Sequence, residues 1–290
     1  MRRLLLPLLI VIIALTAGIY VGYITARQDN MPKGPVIRID FLDADLGNGA
    51  LVRTPEHECI LIDPGSRRTA VALAAYLQDT GVKSLEVIVT NPTANRGGAL
   101  ETIISRFKVK RILRGEKTGS SGEWKRAIDY ANEHNVPQTN IRGGDMIRLS
   151  RSTKLEVLSP PPGLLSQTDS DSDSNSLVVR LTFKGKRFLF TSDAGGSAQN
   201  YLVKSGIDLQ SNVLAISKAA KSDAITLEFL SRVRPEQCIL SSSRHPNRVI
   251  LQRIDPKNTG AALHRTDKDG TISIISDGRT IITNTIKERP

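Results

Sequence analysis

The stretch most suggestive of chemistry is VTNPTANRGG, a polar turn at residues 89–98. It brings four polar side chains close together in sequence, those of Asn91, Thr93, Asn95 and Arg96. Tight turns of this kind hold zinc when they present imidazoles, thiolates or carboxylates. Asn and Thr offer only neutral oxygens, and Arg carries a fixed positive charge that repels a dication. The turn therefore lacks the ligands of a zinc site.

The rest of the chain offers few other metal ligands or nucleophiles. It contains four histidines and two cysteines, with no Cys-x-x-Cys or Cys-His pair at zinc spacing. Ser192 precedes Asp193 in TSDAG, but this segment matches no nucleophile elbow and has no histidine positioned near it in sequence. A serine hydrolase is therefore not predicted.

Both cysteines, Cys59 and Cys238, lie in apolar strand-like runs, where a free thiol packs as a small hydrophobe. Export from the cytoplasm would allow a disulfide if the two Cα atoms lay within reach. Two cysteines give no framework pattern, so we expect free thiols.

The formal net charge is +11, with Lys and Arg spread along the chain. Such a balance can attract nucleic acid or anionic lipid. Aromatic residues make up only 4% of the chain, which argues against a stacking platform for single strands. A solvated basic surface is the alternative.

An uncharged run from Leu4 to Ala26 follows Arg2 and Arg3. It exceeds the ~20 residues that cross a bilayer as a helix. It is also longer than the apolar region of about 7–15 residues in a cleavable signal peptide, although cleavage remains the alternative. The positive-inside rule favours a cytoplasmic N-terminus and an extracytoplasmic body. The predicted organisation is a membrane anchor at 1–27, a polar linker at 28–35 and one domain at 36–290.

Small residues recur at every fourth position of the apolar run, at Ala14, Gly18, Gly22 and Ala26. Such a stripe lets a second helix approach closely, which would give a homodimer through the Gly18/Gly22 face. Glycine is also common in membrane helices in general, and we prefer that explanation.

Beyond residue 36, short β-branched runs alternate with helical patterns. Strand pairs are followed by βα units, and this order repeats in the second half. The repeat favours a layered α/β sandwich with two covered sheets over one doubly wound sheet. Ten runs read as strands: VIRIDFLD, GALVRT, CILID, LEVIVT, KLEVL, LVVRLTF, RFLFTSD, NVLAIS, CILSS and TISIIS. Six segments read as helices: 68–79, 99–107, 123–135, 196–204, 224–233 and 247–254.

One acidic segment of low complexity, SQTDSDSDSNS, occupies residues 166–176. Its aspartates imitate the start of a calcium loop, but Ser174 replaces the turn glycine and Arg180 stands where the bidentate glutamate should be. We predict a mobile surface loop here.

Eight segments, in order, resemble the metallo-β-lactamase-fold domain of ComEC-type DNA-uptake proteins. FLDADLGNGALV resembles F-L-D-V-G-Q-G-D-A, LIDPG resembles L-I-D-G-G, and VTNPTANRGG resembles L-T-H-P-H-A-D-H-x-G-G. SNSLVVRLTF, FLFTSDAG and NVLAISKAAKS are similar to N-N-S-L-V-L-R-L, F-L-L-T-G-D-A-G and D-V-L-K-V-G-H-H-G-S. FLSRVRPEQCILS and RTDKDGTI are similar to the closing motifs. The resemblance covers 36–277 and implies a four-layer αββα sandwich, with a site at one edge that in the ancestor bound two metal ions and hydrolysed phosphodiesters or related esters.

The chain departs from this family at the metal ligands. The ligand turn His-x-His-x-Asp-His corresponds to Asn91, Thr93, Asn95 and Arg96, and the later histidine pair corresponds to Lys218 and Ala219. The resemblance therefore predicts that the dinuclear zinc is lost and that no cofactor is bound. Three pocket residues are retained: Asp63, Asp193 and His245.

Loss of the metals would leave Asp193 without its counter-charge. A buried carboxylate without a partner is costly, so we hypothesise that Arg96, Lys218 or both form an ion pair with it. Two alternatives remain. Both cations could point to solvent, or they could form an anion site for phosphate or a nucleic-acid backbone.

These observations favour a membrane-anchored, non-catalytic binding or scaffold module. One alternative is a metal-dependent hydrolase, phosphodiesterase- or nuclease-like, with an atypical site around Asp193 and His245. The other is a DNA-binding accessory protein, whose affinity would depend steeply on salt.

Overall fold

The computed structural model describes residues 32–286, apart from 33, 44, 46, 48, 117–120, 169, 218–220 and 242–245. The chain divides after Gly34, and every element below belongs to the second unit, Pro35–Pro290. Among the described residues, no helix is long and apolar enough to cross a membrane. The predicted anchor at 1–27, with its Gly18/Gly22 face, lies outside the described residues.

The described residues form fifteen strands and ten α-helical segments. The strands are β1 (Ile37–Phe41), β2 (Ala50–Arg53), β3 (Cys59–Ile62), β4 (Ser84–Val89), β5 (Lys108–Gly115), β6 (Gln138–Ile141), β7 (Met146–Arg148), β8 (Thr153–Ser159), β9 (Val178–Phe183), β10 (Lys186–Phe190), β11 (Val213–Ile216), β12 (Gln237–Leu240), β13 (Ala262–Arg265), β14 (Ile272–Ser276) and β15 (Ile281–Thr285). The helices are α1 (Ala70–Asp79), α2 (Ala94–Gly97), α3 (Leu100–Arg106), α4 (Gly122–Glu133), α5 (Asp171–Ser174), α6 (Gly196–Lys204), α7 (Leu227–Val233), α8 (Arg248–Arg253), α9 (Pro256–Thr259) and α10 (Thr266–Asp269).

The strands form two mixed sheets. The first has the order β15-β14-β1-β2-β3-β4-β5-β6, and the second has the order β13-β12-β11-β10-β9-β8-β7. In the first sheet, β3, β4, β5 and β6 run parallel and the other neighbours are antiparallel. In the second, β10, β11, β12 and β13 run parallel and the rest are antiparallel. The repeated order that the sequence indicated is therefore present in both sheets.

Side-chain alternation explains why the sheets stack. In β1, Ile37, Ile39 and Phe41 point into a core shared with the second sheet, whereas Arg38 and Asp40 lie on the opposite face. The helices α1, α3 and α4 cover the outer face of the first sheet, and α6, α7 and α8 cover that of the second. The layers are thus helices, sheet, sheet, helices. Both thiols are free, with Cys59 beside the first helical layer and Cys238 in the core below the second.

All ten predicted strands and all six predicted helices are present, with ends that shift by up to three residues. The structure adds β5, β6, β7, β13 and β15, together with four helices of one turn. The two covered sheets confirm the α/β sandwich that the pattern predicted.

The parallel strands bring their carboxyl ends to one edge of the sandwich. The residues that follow β3 and β4 meet there with those that follow β10, β11 and β12, because Asp63, Thr90, Ser192, Ser217 and Ser241 line a common cavity. Open α/β sheets place their sites at such carboxyl ends. We therefore expect the predicted site residues at this edge.

Close packing beneath this edge leads to a stability prediction for Gly97. A Cβ added to Gly97 would lie 2.5 Å from Cε3 and Cζ3 of Trp124. The Trp124 ring is buried in the core of the first helical layer and has little room to move. We expect Gly97→Ala to lower the free energy of unfolding by about 1–3 kcal/mol, measured by urea denaturation.

Gly122, at the start of α4, is the matched control. Its Cβ would have ordinary contact with Arg126 at 3.6 Å, so Gly122→Ala should be neutral or slightly stabilising. Equal stability of the two variants would contradict the packing at Gly97.

Candidate functional site

Asp63 directly follows β3 and is held rigidly at the edge. Its backbone NH donates to the Ile88 carbonyl at 2.8 Å, and its φ of 53° lies in the left-handed region. Its carboxylate accepts from the Thr90 backbone NH at 2.8 Å and from Thr90 Oγ1 at 2.6 Å. A strained backbone that persists must be fixed by its surroundings, and such positions cluster at functional sites.

The turn that follows β4 places Arg96 next to Asp63. The backbone NH groups of Arg96 and Gly97 donate to the Thr93 carbonyl at 3.1 and 2.9 Å, which starts the short helix α2. The Arg96 carbonyl in turn accepts from the Gly65 NH at 3.1 Å. The turn and the loop of Asp63 are therefore joined through the backbone as well as through side chains.

The Arg96 guanidinium lies between two carboxylates. Nη2 is 2.5 Å from Asp193 Oδ1, Nε donates to Asp193 Oδ2 at 3.3 Å, and Nη1 is 3.4 Å from Asp63 Oδ2. Arg96 is only 7% exposed. Its three nitrogens thus all face carboxylate oxygens inside the protein.

Burial and charge shape the ionisation of this cluster. Desolvation raises the pKa of Asp63 above its ordinary value, while the Arg96 charge and the hydrogen bonds from Thr90 act in the opposite direction. Burial by itself would lower the pKa of Arg96, but Asp193 and then Asp63 raise it above its ordinary value. Arg96 therefore stays a cation at every accessible pH.

Asn91 is the second contact from the turn to Asp193. Its Nδ2 donates to Asp193 Oδ2 at 3.0 Å, and its Oδ1 is buried with no hydrogen-bond partner in the part of the chain that the structure describes. Thr93 is half-buried and Asn95 is exposed. Of the four turn positions, the structure thus brings Asn91 and Arg96 to Asp193.

Two hydroxyl groups that sequence reasoning did not single out as site residues complete the edge. Thr90 Oγ1, already bonded to Asp63, also forms a short hydrogen bond with Ser192 Oγ. Ser192 follows β10 with a φ of 51°, so both sheets contribute a left-handed residue at the same place. The only signal in the sequence is that each residue lies within two positions of a strand end.

The acidic segment 166–176 differs from the predicted surface loop. Its last three residues, Ser174, Asn175 and Ser176, are buried, and the next residue, Leu177, donates its backbone NH to the Thr90 carbonyl at 2.8 Å. Asn175 anchors the segment internally, bonding to the NH and the carbonyl of Leu165, each at 2.7 Å. Lys218, Ala219 and His245 lie outside the described residues.

The side chains that the structure describes at this edge do not fit a pair of metal ions. The described part of the chain contains no group of three or more His, Cys, Asp or Glu residues that could hold a metal. Asp63 and Asp193 both face the guanidinium of Arg96, whose fixed charge lies where a dication would need their oxygens. Among the described residues, the cation that contacts both carboxylates is Arg96.

Comparison with known proteins relates the chain through its fold. No protein-family model and no curated protein sequence matches it. A crystal structure assigned as a metal-dependent hydrolase from Parabacteroides distasonis ATCC 8503 is similar with a TM-score of 0.52 at 13% identity, over 81% of this chain and 94% of that one. Zn²⁺-bound PqqB from Methylobacterium extorquens is similar with a TM-score of 0.52 at 11% identity, over 79% of this chain and 87% of that one.

The E377D mutant of CmlA β-hydroxylase is a third similar structure, with a TM-score of 0.53 at 11% identity. It is matched over 81% of this chain, which spans about half (53%) of that one. At such identities the likeness concerns the fold alone. The chain has an α/β fold with two mixed sheets, consistent with the metallo-β-lactamase fold of these neighbours.

Proposed function

We propose that this chain is a metallo-β-lactamase-fold protein in which an internal cation has replaced the metal ions, and that it acts as a non-catalytic binding or assembly module. One observation carries the proposal: the guanidinium of Arg96 is buried between Asp63 and Asp193 and contacts both. In a two-metal hydrolase the metals lower the pKa of a bound water and make it a nucleophile. A guanidinium supplies charge but has no open coordination position for water.

The same geometry disfavours an anion site at Arg96. Its Nε and both Nη atoms are directed at carboxylates, so an incoming phosphate would have to displace an internal ion pair. Lys218, the other cation of the predicted anion site, lies outside the described residues.

The proposed setting is the bacterial-type envelope. It rests on the sequence, in which the run from Leu4 to Ala26 would anchor the chain and leave the domain on the extracytoplasmic side. The resemblance to ComEC-type domains is part of the same proposal. The alternative is a metal-dependent hydrolase that uses Asp193 and His245, in keeping with the name of one similar structure and with the zinc bound in another.

Metal content tests the proposal directly. The full chain, purified without chelator, should contain less than about a tenth of an equivalent of zinc or manganese, before and after incubation with either metal, because its ligands are missing. Hydrolysis of bis(p-nitrophenyl) phosphate should stay at the rate of the buffer.

A metal-dependent hydrolase would give different results in both the metal analysis and the hydrolysis assay. One equivalent or more of metal that disappears in Asp193→Ala, together with metal-stimulated hydrolysis, would overturn the proposal. Asp129→Ala, which removes an exposed carboxylate on α4, is the matched control for loss of surface charge.

A further inference from the structure

The outer side of α1 is an exposed apolar helix face. On its inner side, Leu73 and Leu77 pack into the core of the first helical layer. On the outer side, Val71 is 62% exposed, and the small residues Ala72 and Ala75 are exposed beside it. Residues three and four apart are neighbours on a helix surface, so these three side chains form one patch. The middle of this face therefore carries no charge that a docking surface would have to desolvate.

Charged residues stand at the two ends of the same face. Arg68, just before α1, and Asp79, its last residue, are both exposed. The helix dipole favours acidic side chains at the N-terminus and basic ones at the C-terminus. In α1 the first turn has no acidic residue and the last turn has no basic residue. The two charges therefore oppose the helix dipole and do not stabilise α1 within a single chain.

A second copy of α1 in the opposite direction complements this arrangement. Turning one helix end to end against the other brings Arg68 of each copy beside Asp79 of the other, at two equivalent places. Ala72 and Ala75 then lie near the middle, where small side chains let two helix axes approach closely. An interface with two-fold symmetry requires a surface that is complementary to itself in this way.

We propose that two copies of this chain associate through α1, with the helices antiparallel and Arg68 of each copy paired with Asp79 of the other. The proposal names a partner for the assembly role proposed above and rests on that role. A different protein would need an acidic and a basic group placed to match both ends of the face, whereas a second copy supplies both. One helix face is a small interface, so we expect a weak dimer with a Kd of about 10–100 µM.

Sedimentation velocity of the full chain in detergent, over about 5–500 µM, tests this. Arg68→Glu would place two acidic groups together and Asp79→Arg two basic groups, so each should raise the Kd of the dimer about tenfold or more. The two substitutions move the net charge in opposite directions, so an effect of overall charge would not raise the Kd in both. For the native chain, the Kd should rise between about 0.05 and 0.5 M sodium chloride, because salt screens exposed pairs.

Two restorations identify the antiparallel pairing. The double variant, Arg68→Glu with Asp79→Arg, exchanges the charges and keeps them complementary, so its Kd should return to within about threefold of the native value. An equal mixture of the two single variants should form mixed dimers, because one has acidic groups at both ends of the face and the other basic groups. Labelling one variant with a fluorophore detects these dimers in the same measurement.

Matched controls lie on α4, which covers the same sheet. Arg126→Glu and Asp129→Arg make the same changes of charge at exposed positions and should leave the Kd of the dimer unchanged. Urea unfolding at about 1 µM, where the dimer is dissociated, should show both α1 variants to be as stable as the native chain or more so, because each adds a charge that the helix dipole favours. Weaker association in these variants is then not a result of misfolding.

Three results would overturn the proposal. The first is a full chain that stays monomeric up to about 500 µM. The second is a dimer that neither single variant weakens, which would place the contact elsewhere, for example at the Gly18/Gly22 face. The third is association that the single variants weaken but that neither the double variant nor the mixture restores. Metal analysis is a separate measurement: bound zinc or manganese would overturn the proposed function and leave the dimer in place, whereas a metal-free monomer would overturn the dimer alone.

Discussion

Replacing Arg96 by methionine should lower the free energy of unfolding by about 3–5 kcal/mol, the range for removing one partner of a buried ion pair. The loss arises because Asp63 and Asp193 would keep their burial without the cation that they share. The stability of Arg96→Lys should lie between that of the native chain and that of Arg96→Met. An ammonium is a point charge and cannot contact both carboxylates through three nitrogens. Urea denaturation followed by circular dichroism measures the difference.

Two further variants separate this pairing from a general effect of charge. Arg68→Ala removes an exposed arginine near α1 and should change stability by no more than about 0.5 kcal/mol. Arg96→Met combined with Asp193→Leu should recover part of the loss, because an apolar pair can replace a buried ion pair. A loss below about 1 kcal/mol in Arg96→Met would show that the guanidinium contributes little to the fold.

The second large effect is expected at Asp40, on the outer face of β1. This carboxylate is fully buried and accepts hydrogen bonds from Arg38 Nε at 2.8 Å, from Ser273 Oγ at 2.5 Å and from Arg53 Nη2. Asp40→Ala would leave two guanidinium groups facing each other across an empty space. We expect a loss of about 3 kcal/mol, at the low end of the range for a buried pair because both arginines reach solvent.

The control for Asp40 is again the exposed Asp129 on α4. Asp129→Ala should unfold at nearly the same urea concentration as the unmodified chain. Asp40→Asn should be closer to Asp40→Ala than to the native residue, because an amide carries no charge and turns a donor toward one of the arginines. Coinciding urea midpoints for Asp40→Ala and Asp129→Ala would contradict the prediction.

The fold could be predicted from the sequence where strands are central. Runs such as VIRIDFLD and LEVIVT carry apolar residues of two cores. One core lies between the two sheets, and the other lies between the first sheet and its helices. Four of the five strands that the pattern missed, β6, β7, β13 and β15, are the outermost strands of the two sheets. An edge strand is half exposed and needs little apolar surface, so its sequence gives a weak signal. The fifth, β5, starts with exposed Lys108 and Lys110 before its buried part.

The candidate site was predictable only in part. The turn with Asn91 and Arg96 and the aspartates Asp63 and Asp193 were found because they occupy positions of a known motif. Thr90 and Ser192 were missed because neutral hydroxyls at strand ends match no motif, and only the packing of the sheets brings them together. The burial of the Arg96 side chain could not be predicted either, since an arginine in a turn is usually solvated.

The contacts at this edge also have a consequence for the kinetics of folding. The hydrogen bonds of Asp193 with Asn91 and Arg96, and that between Thr90 and Ser192, join residues 97 to 102 positions apart. Because closing a loop of this length costs conformational entropy before the contact stabilises the chain, we expect these contacts to form late in folding. Interactions absent from the transition state slow unfolding and barely change the folding rate. The contacts that join the two halves at this edge would then determine how long the folded domain survives before it unfolds.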